Sequence, residues 1–439
     1  MTLLKFISAA LFAWLLALPA WAEIKIQEVT SPGGITAWLV EDHSIPFAAL
    51  ELGFRGGTSL DAPGKRGGVY LMTGLLEEGS GDLPAQEYAR ALESLAAEFS
   101  YDADRDSVSI SARFLTENRD DVVELLRQTL FEPRFDQDAL DRVRAQVLAG
   151  LRSDAKSPSD IAGLAFARMA YGDHPYGSNG KGTLETVAAL SRQDIFDAYE
   201  AVFARDRLYV SAVGDITADE LGDLLDDLLG ALKDNGAPIP GPAEVMIEGG
   251  VTVVDFETPQ SVALFGQKGI EREHPDFFTA FVMNQILGGG SFETRLMAEV
   301  REKRGLTYGV YSYLVPRDLA AVYMGSVASA NGKMAEAVEV IRAEWRRMAE
   351  DGVTAQELKD AQTYLTGAYP LRFDGNSRIA SILAGMQMDD LPISYVKTRN
   401  DRINAVTLED VKRLAADFLD PDGLHFTIAG RPEGLESTN

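Results

Sequence analysis

The chain has 439 residues, no cysteine, and 67 acidic against 41 basic side chains, for a formal charge of −26. That acidity speaks against nucleic acid and anionic membrane surfaces as partners and favours cationic peptides among possible ligands. Without disulfides, stability rests on the core alone, which a chain of this length builds easily in at least two domains.

At the N-terminus, Lys5 precedes an apolar run from Phe6 to Leu18, and Ala20-Trp21-Ala22 offers small residues at both cleavage positions. This is the pattern of a cleavable signal peptide over residues 1–22. The alternative, an uncleaved anchor, has against it a run shorter than the roughly 20 residues a spanning helix needs. The expected location is periplasmic or secreted, with no stable membrane insertion once the signal is removed.

Strand-like runs at Ile35–Glu41, Ala48–Arg55 and Ser107–Leu115 surround helical stretches near Pro84–Glu98, Arg119–Phe131 and Gln137–Ala170. The second half repeats the mixture. It has strands at Val251–Phe256, Ser261–Gly266, Leu306–Leu314 and Ala320–Ala328, and helices across Pro275–Leu287, Lys333–Glu350, Ala355–Leu371 and Arg378–Met388. Ser191–Gly214 and Thr407–Gly430 follow one plan: a Ser or Thr N-cap, a helix, then a β-prone strand ending in glycine. A duplicated α+β domain accounts for this. The run Asn235-Gly236-Ala237-Pro238-Ile239-Pro240-Gly241-Pro242 reads as a linker. The expected organisation is a signal peptide 1–22, an N-terminal domain 23–234, a linker 235–245 and a C-terminal domain 246–439.

The most specific stretch is Leu287-Gly288-Gly289-Gly290-Ser291-Phe292-Glu293-Thr294-Arg295-Leu296, continuing through Arg301 and Gly305-Leu306-Thr307-Tyr308-Gly309. It resembles the signature of the C-terminal half of the pitrilysin/insulinase (M16) zinc peptidases. In that family a Gly-rich turn leads into a helix and then a strand, and an Arg and a Tyr seven positions apart contact the substrate at the scissile bond; Arg301 and Tyr308 match them. A guanidinium and a phenol can both donate to a carbonyl oxygen that gains negative charge. The bland alternative is that Arg301 pairs along its helix and Tyr308 packs in a sheet. The three glycines fit no phosphate-binding spacing.

The resemblance extends to Gly53–Thr58 and Gly64–Gly68, which stand before the family's zinc motif. Where H-x-x-E-H is expected the chain reads Tyr70-Leu71-Met72-Thr73-Gly74. Two imidazole ligands and a general-base carboxylate are thus replaced by a phenol, a hydroxyl and a hydrogen. Ala149 and Gly150 stand where the family's remaining acidic ligand is expected. His43, His174, His274 and His425 lie far apart in sequence, and the adjacent acids Glu77-Glu78 read as solvated.

The resemblance implies two homologous αβ domains, each a mixed sheet flanked by helices, facing each other across a chamber. It implies a non-catalytic, substrate-binding subunit that holds no cofactor. Zinc and base would come from a partner M16 subunit with an intact H-x-x-E-H, while Arg301, Tyr308 and the Gly288-Gly289-Gly290 turn contact the peptide. A scaffold or peptide-binding protein of the same fold with no role in proteolysis is the alternative, and an independent enzyme with an unrecognised site a third.

Overall fold

The computed structural model describes residues 24–438; the expected signal peptide lies outside the described residues. Two sheets carry the fold. The first has six strands in the order Gln27–Thr30, Thr36–Glu41, Leu208–Gly214, Phe47–Arg55, Ser107–Leu115, Glu98–Ala103. The second has five, in the order Gly250–Asp255, His425–Gly430, Gln260–Lys268, Ala320–Ala330, Thr307–Arg317. Apart from the extra edge strand Gln27–Thr30, the two orders correspond one to one. Each sheet also has a single parallel pair, Thr36–Glu41 with Leu208–Gly214 and Gly250–Asp255 with His425–Gly430.

Strand periodicity explains the burial. In Ser107–Leu115, Val108, Ile110, Ala112 and Phe114 turn inward and the residues between them do not. The duplicated caps also form. The Ser191 hydroxyl accepts from Asp194 N at 3.3 Å while the Asp194 carboxylate accepts from Ser191 N at 2.7 Å. Thr407 and Asp410 repeat this at 3.1 and 3.0 Å.

Two expectations need correction. The stretch Gln137–Ala170 is two helices, Gln137–Asp154 and Pro158–Tyr171, because Pro158 lacks an N–H and fits a first turn, while Ser157 caps the new helix. The helix expected over Pro84–Glu98 ends at Ser94. The chain then turns through Ala96 at φ 49° into the strand Glu98–Ala103, which buries Phe99 and Tyr101. The helices Ala218–Leu229 and Tyr395–Asn404 add to the expected elements. Among the described residues, no helix is long and apolar enough to cross a membrane.

The halves exchange helices. Pro158–Tyr171 packs on Gln260–Lys268 and His425–Gly430 of the second sheet, and Asn376–Met388 packs on Phe47–Arg55 and Leu208–Gly214 of the first. Phe166, Ala167 and Ala170 pack with Leu264 and Val322; Ala380, Leu383 and Met386 pack with Trp38, Ala49 and Val213. Each sheet makes room with a glycine at the same strand position. A Cβ at Gly53 would lie 3.0 Å from Met388 Sδ, and one at Gly266 would lie 2.9 Å from Phe166 Cζ. Polar contacts seal the exchange. Ser211 Oγ donates to Ala380 O at 2.6 Å, and Gln387 Nε2 to Val210 O at 2.8 Å. Arg55 donates to Met388 O and pairs with Asp318 at 3.2 Å and Asp390 at 3.1 Å.

Under the exchanged helix, Glu51 is buried in a pocket of 250 Å³ that Ser100, Ser111 and Ser377 also line, and accepts from Ser111 Oγ at 2.6 Å. Burial raises its pKa from 4.5 to about 7, with Asp102 adding repulsion and the Ser111 hydrogen bond opposing. The cost of its charge is therefore absent below the ordinary glutamate range, grows from about pH 4.5 to 7, and is full above. Glu51→Gln is expected to raise unfolding free energy at pH 8 by on the order of 2 kcal/mol relative to its effect at pH 4.5. Denaturation of both proteins at the two pH values checks this.

The exchange also predicts cooperative unfolding. A chain starting at residue 23 has one tryptophan in each half, Trp38 and Trp345. Leu383→Ala, which opens the contact between the halves, should cost about 2–5 kcal/mol. It should shift the denaturant midpoints of the single-tryptophan variants W38F and W345F together. Two separate midpoints would mean that the halves fold independently.

Candidate functional site

The helix Gly68–Leu75 starts behind Gly67, which sits at φ 94° and offers no capping side chain. Asp61 supplies the cap from the preceding loop, accepting from Gly67 N and Val69 N, each at 2.8 Å. The helix that would carry a zinc motif is thus fully built. Its ligand positions are not. Thr73 is buried and its hydroxyl donates back to Tyr70 O at 2.9 Å. Gly74 is exposed, and a Cβ there would meet only Val143 Cγ1, at 3.2 Å.

Val143 marks the facing side of Gln137–Asp154. Two turns on, Gly150 shares that side, where an added Cβ meets nothing within 4 Å, whereas Ala149 is exposed and about a third of a turn away. Of the two candidates for a missing acid, only Gly150 faces the motif helix. Beyond it, Lys181 Nζ pairs with Asp154 at 2.9 Å, and that carboxylate raises the lysine's pKa, with the Tyr70 phenol a lesser influence.

The four histidines stay apart, each with its own partner. His43 bonds Asp215, His174 bonds Gly241 O, His274 accepts from Asp276 N, and His425 is buried between Glu248 O and Thr252. Glu78 pairs with Arg142 at 2.6 Å. Among the described residues, no group of three or more His, Cys, Asp or Glu side chains could hold a metal ion. The donor set at Tyr70, Thr73 and Gly74 does not fit a zinc ion.

In the second half, the helix Phe277–Leu287 ends in the glycine turn. A Cβ at Gly288 would lie 2.4 Å from Ser312 Oγ and 2.8 Å from Ser312 N, so this glycine lets the strand Thr307–Arg317 come close, and Ser312 N donates to Gly288 O at 2.9 Å. Gly289 lies against Gln285, and Gly290 turns at φ 87°. Arg301 lies in a π-helical turn, Met297–Glu302, a feature that recurs at functional sites. Its guanidinium sits 4.9 Å over the Phe292 ring and makes no ion pair among the described residues. Neighbouring Glu299 instead takes Lys303 at 2.6 Å and Arg304 at 2.7 Å.

Tyr308 stands on a β-bulge. Thr307 pairs with Ser329 and Val310 with Val327, so two residues face one across the ladder. Thr307 Oγ1 ties the bulge down by donating to Ala328 O at 2.6 Å and accepting from Gly309 N at 3.1 Å. The bulge throws Tyr308 outward to 86% exposure, on the edge strand of its sheet. Tyr308 lies near the start of that edge strand, and the π-helical turn that carries Arg301 packs against the same strand. Among the described residues, no hydrogen bond, ion pair or ring contact joins either to the helix Gly68–Leu75.

Between the halves opens a cleft of about 1010 Å³. The first half lines it with Leu151, Asp154 and Lys181, and the second with Leu264, Tyr313 and Val315. Arg66, Arg105 and Arg317 line it too. Sequence reasoning missed all three, since arginines scattered over more than 200 residues form no motif.

Residues 36–183 match the family described as insulinase, peptidase family M16, and residues 189–365 match the peptidase M16 inactive domain. A Helicobacter pylori protein named non-peptidase homolog YmxG is 27% identical over 88% of this chain and 90% of its own. A Bacillus subtilis protein named uncharacterized zinc protease YmxG is 23% identical over 90% of this chain and 96% of its own. The crystal structure of a peptidase M16 inactive domain from Pseudomonas fluorescens superposes with a TM-score of 0.86 at 29% identity, covering 94% of this chain and 100% of that one. Matched in both halves, the chain belongs to the M16 peptidase family, as a member whose metal-binding motif is replaced.

Proposed function

We propose that the chain is the non-catalytic, peptide-binding subunit of a heteromeric M16-type metallopeptidase, working in the periplasm or outside the cell. In this reading the domains 23–234 and 246–439, joined by 235–245, form one wall of a shared site. A partner M16 subunit with an intact H-x-x-E-H supplies the zinc and the general base, and no chemical step runs through a metal on this chain. The observation that carries the reading is a contrast within one molecule. The motif positions Tyr70, Thr73 and Gly74 hold no ligand, while Arg301 and Tyr308 are built outward on a π-turn and a bulge. A guanidinium and a phenol so presented donate to the scissile carbonyl oxygen as it becomes an oxyanion, and the Gly288-Gly289-Gly290 turn lets substrate backbone approach. The name non-peptidase homolog carried by the Helicobacter pylori relative supports the non-catalytic part of this reading.

In the reconstituted complex, Tyr308→Phe should lower kcat by on the order of 10²–10³ with little change in KM, and Arg301→Ala at least as much. Steady-state kinetics, with assembly checked by size-exclusion chromatography, decides. Unaltered kcat in an intact complex for both variants would leave a scaffold with no role in proteolysis.

Restoring Tyr70→His, Thr73→Glu and Gly74→His should not give tight zinc binding, because a third protein ligand is missing. Adding Gly150→Glu should raise zinc affinity by about tenfold or more, and Ala149→Glu should not. Zinc titration of the three proteins distinguishes the positions. Equal affinities would show that Gln137–Asp154 does not carry the ligand position.

A further inference from the structure

The cleft between the halves has a charge that the whole chain does not. Of its acidic lining residues, Asp160, Asp173 and Glu185 are exposed at the rim and only Asp154 is partly buried, whereas Arg66, Arg105, Lys181 and Arg317 are all partly buried. Two of these cations are neutralised: Lys181 by Asp154 at 2.9 Å and Arg317 by Asp106 at 3.6 Å. The other two make no such pair, although the nearby Asp61 carboxylate partly offsets the burial of Arg66. Arg66 donates to Thr58 O at 3.1 Å and Arg105 to Ser178 O at 3.4 Å, and neither makes an ion pair among the described residues. The Arg105 Nε–H is buried with no hydrogen-bond partner.

In a chain with a formal charge of −26, carboxylates are the most plentiful side chains available to pair with a guanidinium. Leaving two half-buried arginines without one costs free energy that a bound anion recovers. Burial and the charge of Arg317 both work against the Arg105 cation, with Asp106 only a smaller counterweight. Arg105 is also held in place. It sits at the turn between Glu98–Ala103 and Ser107–Leu115, where Thr58 N donates to Asp104 O at 2.7 Å and Ser59 N to Arg105 O at 3.2 Å. The remaining walls, with Leu151, Ile161, Leu264, Val315 and Met324, are apolar.

We infer that the cleft recognises a carboxylate on an otherwise apolar peptide segment, with Arg105 and Arg66 as the recognising groups. This rests on the reading that peptide enters the cleft, and it reverses the preference for cationic peptides that net charge suggests. A planar carboxylate matches the fork of a fixed guanidinium, and the low-dielectric walls strengthen the pairing. The carboxylate is either the C-terminus of the peptide or an Asp or Glu side chain.

The test uses the full chain from residue 23 and four short peptides of one apolar composition, each labelled with an uncharged dye. One has a free C-terminus and neutral side chains, one has two aspartates and a C-terminal amide, one is neutral throughout, and one carries two lysines and an amide. At least one carboxylate peptide should bind about tenfold more tightly than the neutral one, with the lysine peptide weakest. Which of the two carboxylate peptides does so names the source. Arg105→Gln, and independently Arg66→Gln, should reduce that preference to below about threefold in protein whose melting curve shows it folded. Equal binding of carboxylate and neutral peptides, or a preference that survives both variants, overturns the inference and leaves the proposed function standing. No binding by any peptide overturns both.

Discussion

The reciprocal exchange of Pro158–Tyr171 and Asn376–Met388 is the contact on which the rest of the molecule depends. Each helix leaves the half that encodes it and covers the sheet of the other, so neither sheet has its inner face covered without the other half. The glycines at matching strand positions, Gly53 and Gly266, admit Met388 and Phe166. Because the contact is made twice, by equivalent elements, the two halves are fixed relative to one another and the cleft between them has defined walls. The ion pairs of Arg55 with Asp318 and Asp390 add position rather than much energy, since all three side chains are partly open to solvent.

Within that frame the metal site has been lost without disturbing its support. Asp61 still caps the helix Gly68–Leu75, and the facing helix still approaches closely enough for Val143 to meet Gly74. Only the donor atoms are missing. Tyr70 is partly open and Gly74 exposed, so neither ligand position is needed to fill the core, while the buried Thr73 satisfies its own hydroxyl on Tyr70 O. The fold is therefore free to persist with another use.

The Arg301 and Tyr308 region shows the opposite pattern. A π-turn and a β-bulge are local departures from regular hydrogen bonding, and each needs specific neighbours to hold it: Thr307 Oγ1 for the bulge, Arg295 paired with Glu357 at 2.6 Å near the turn. A sheet edge that merely needed a tyrosine would have no use for the bulge that turns it outward. That investment in local geometry is the reason the proposed role rests on these two side chains.

Sequence alone determined what is local. Strands such as Ser107–Leu115 and caps such as Ser191 and Thr407 follow from side-chain alternation and short-range hydrogen bonding, and the duplication shows as one plan used twice. The replaced motif at Tyr70, Thr73 and Gly74 is visible in sequence because a motif is contiguous, and the same contiguity marks Arg301 and Tyr308 as candidates. What only the tertiary structure decided is what depends on distant segments meeting. The exchange of helices, the bulge at Tyr308, the choice of Gly150 over Ala149, and the gathering of Arg66, Arg105 and Arg317 have no signature in local composition. Each is set by which surfaces pack against which. For the same reason the cleft's charge runs against the net charge of the chain: net charge sums over the whole surface, whereas a ligand meets only the few groups that packing leaves unpaired.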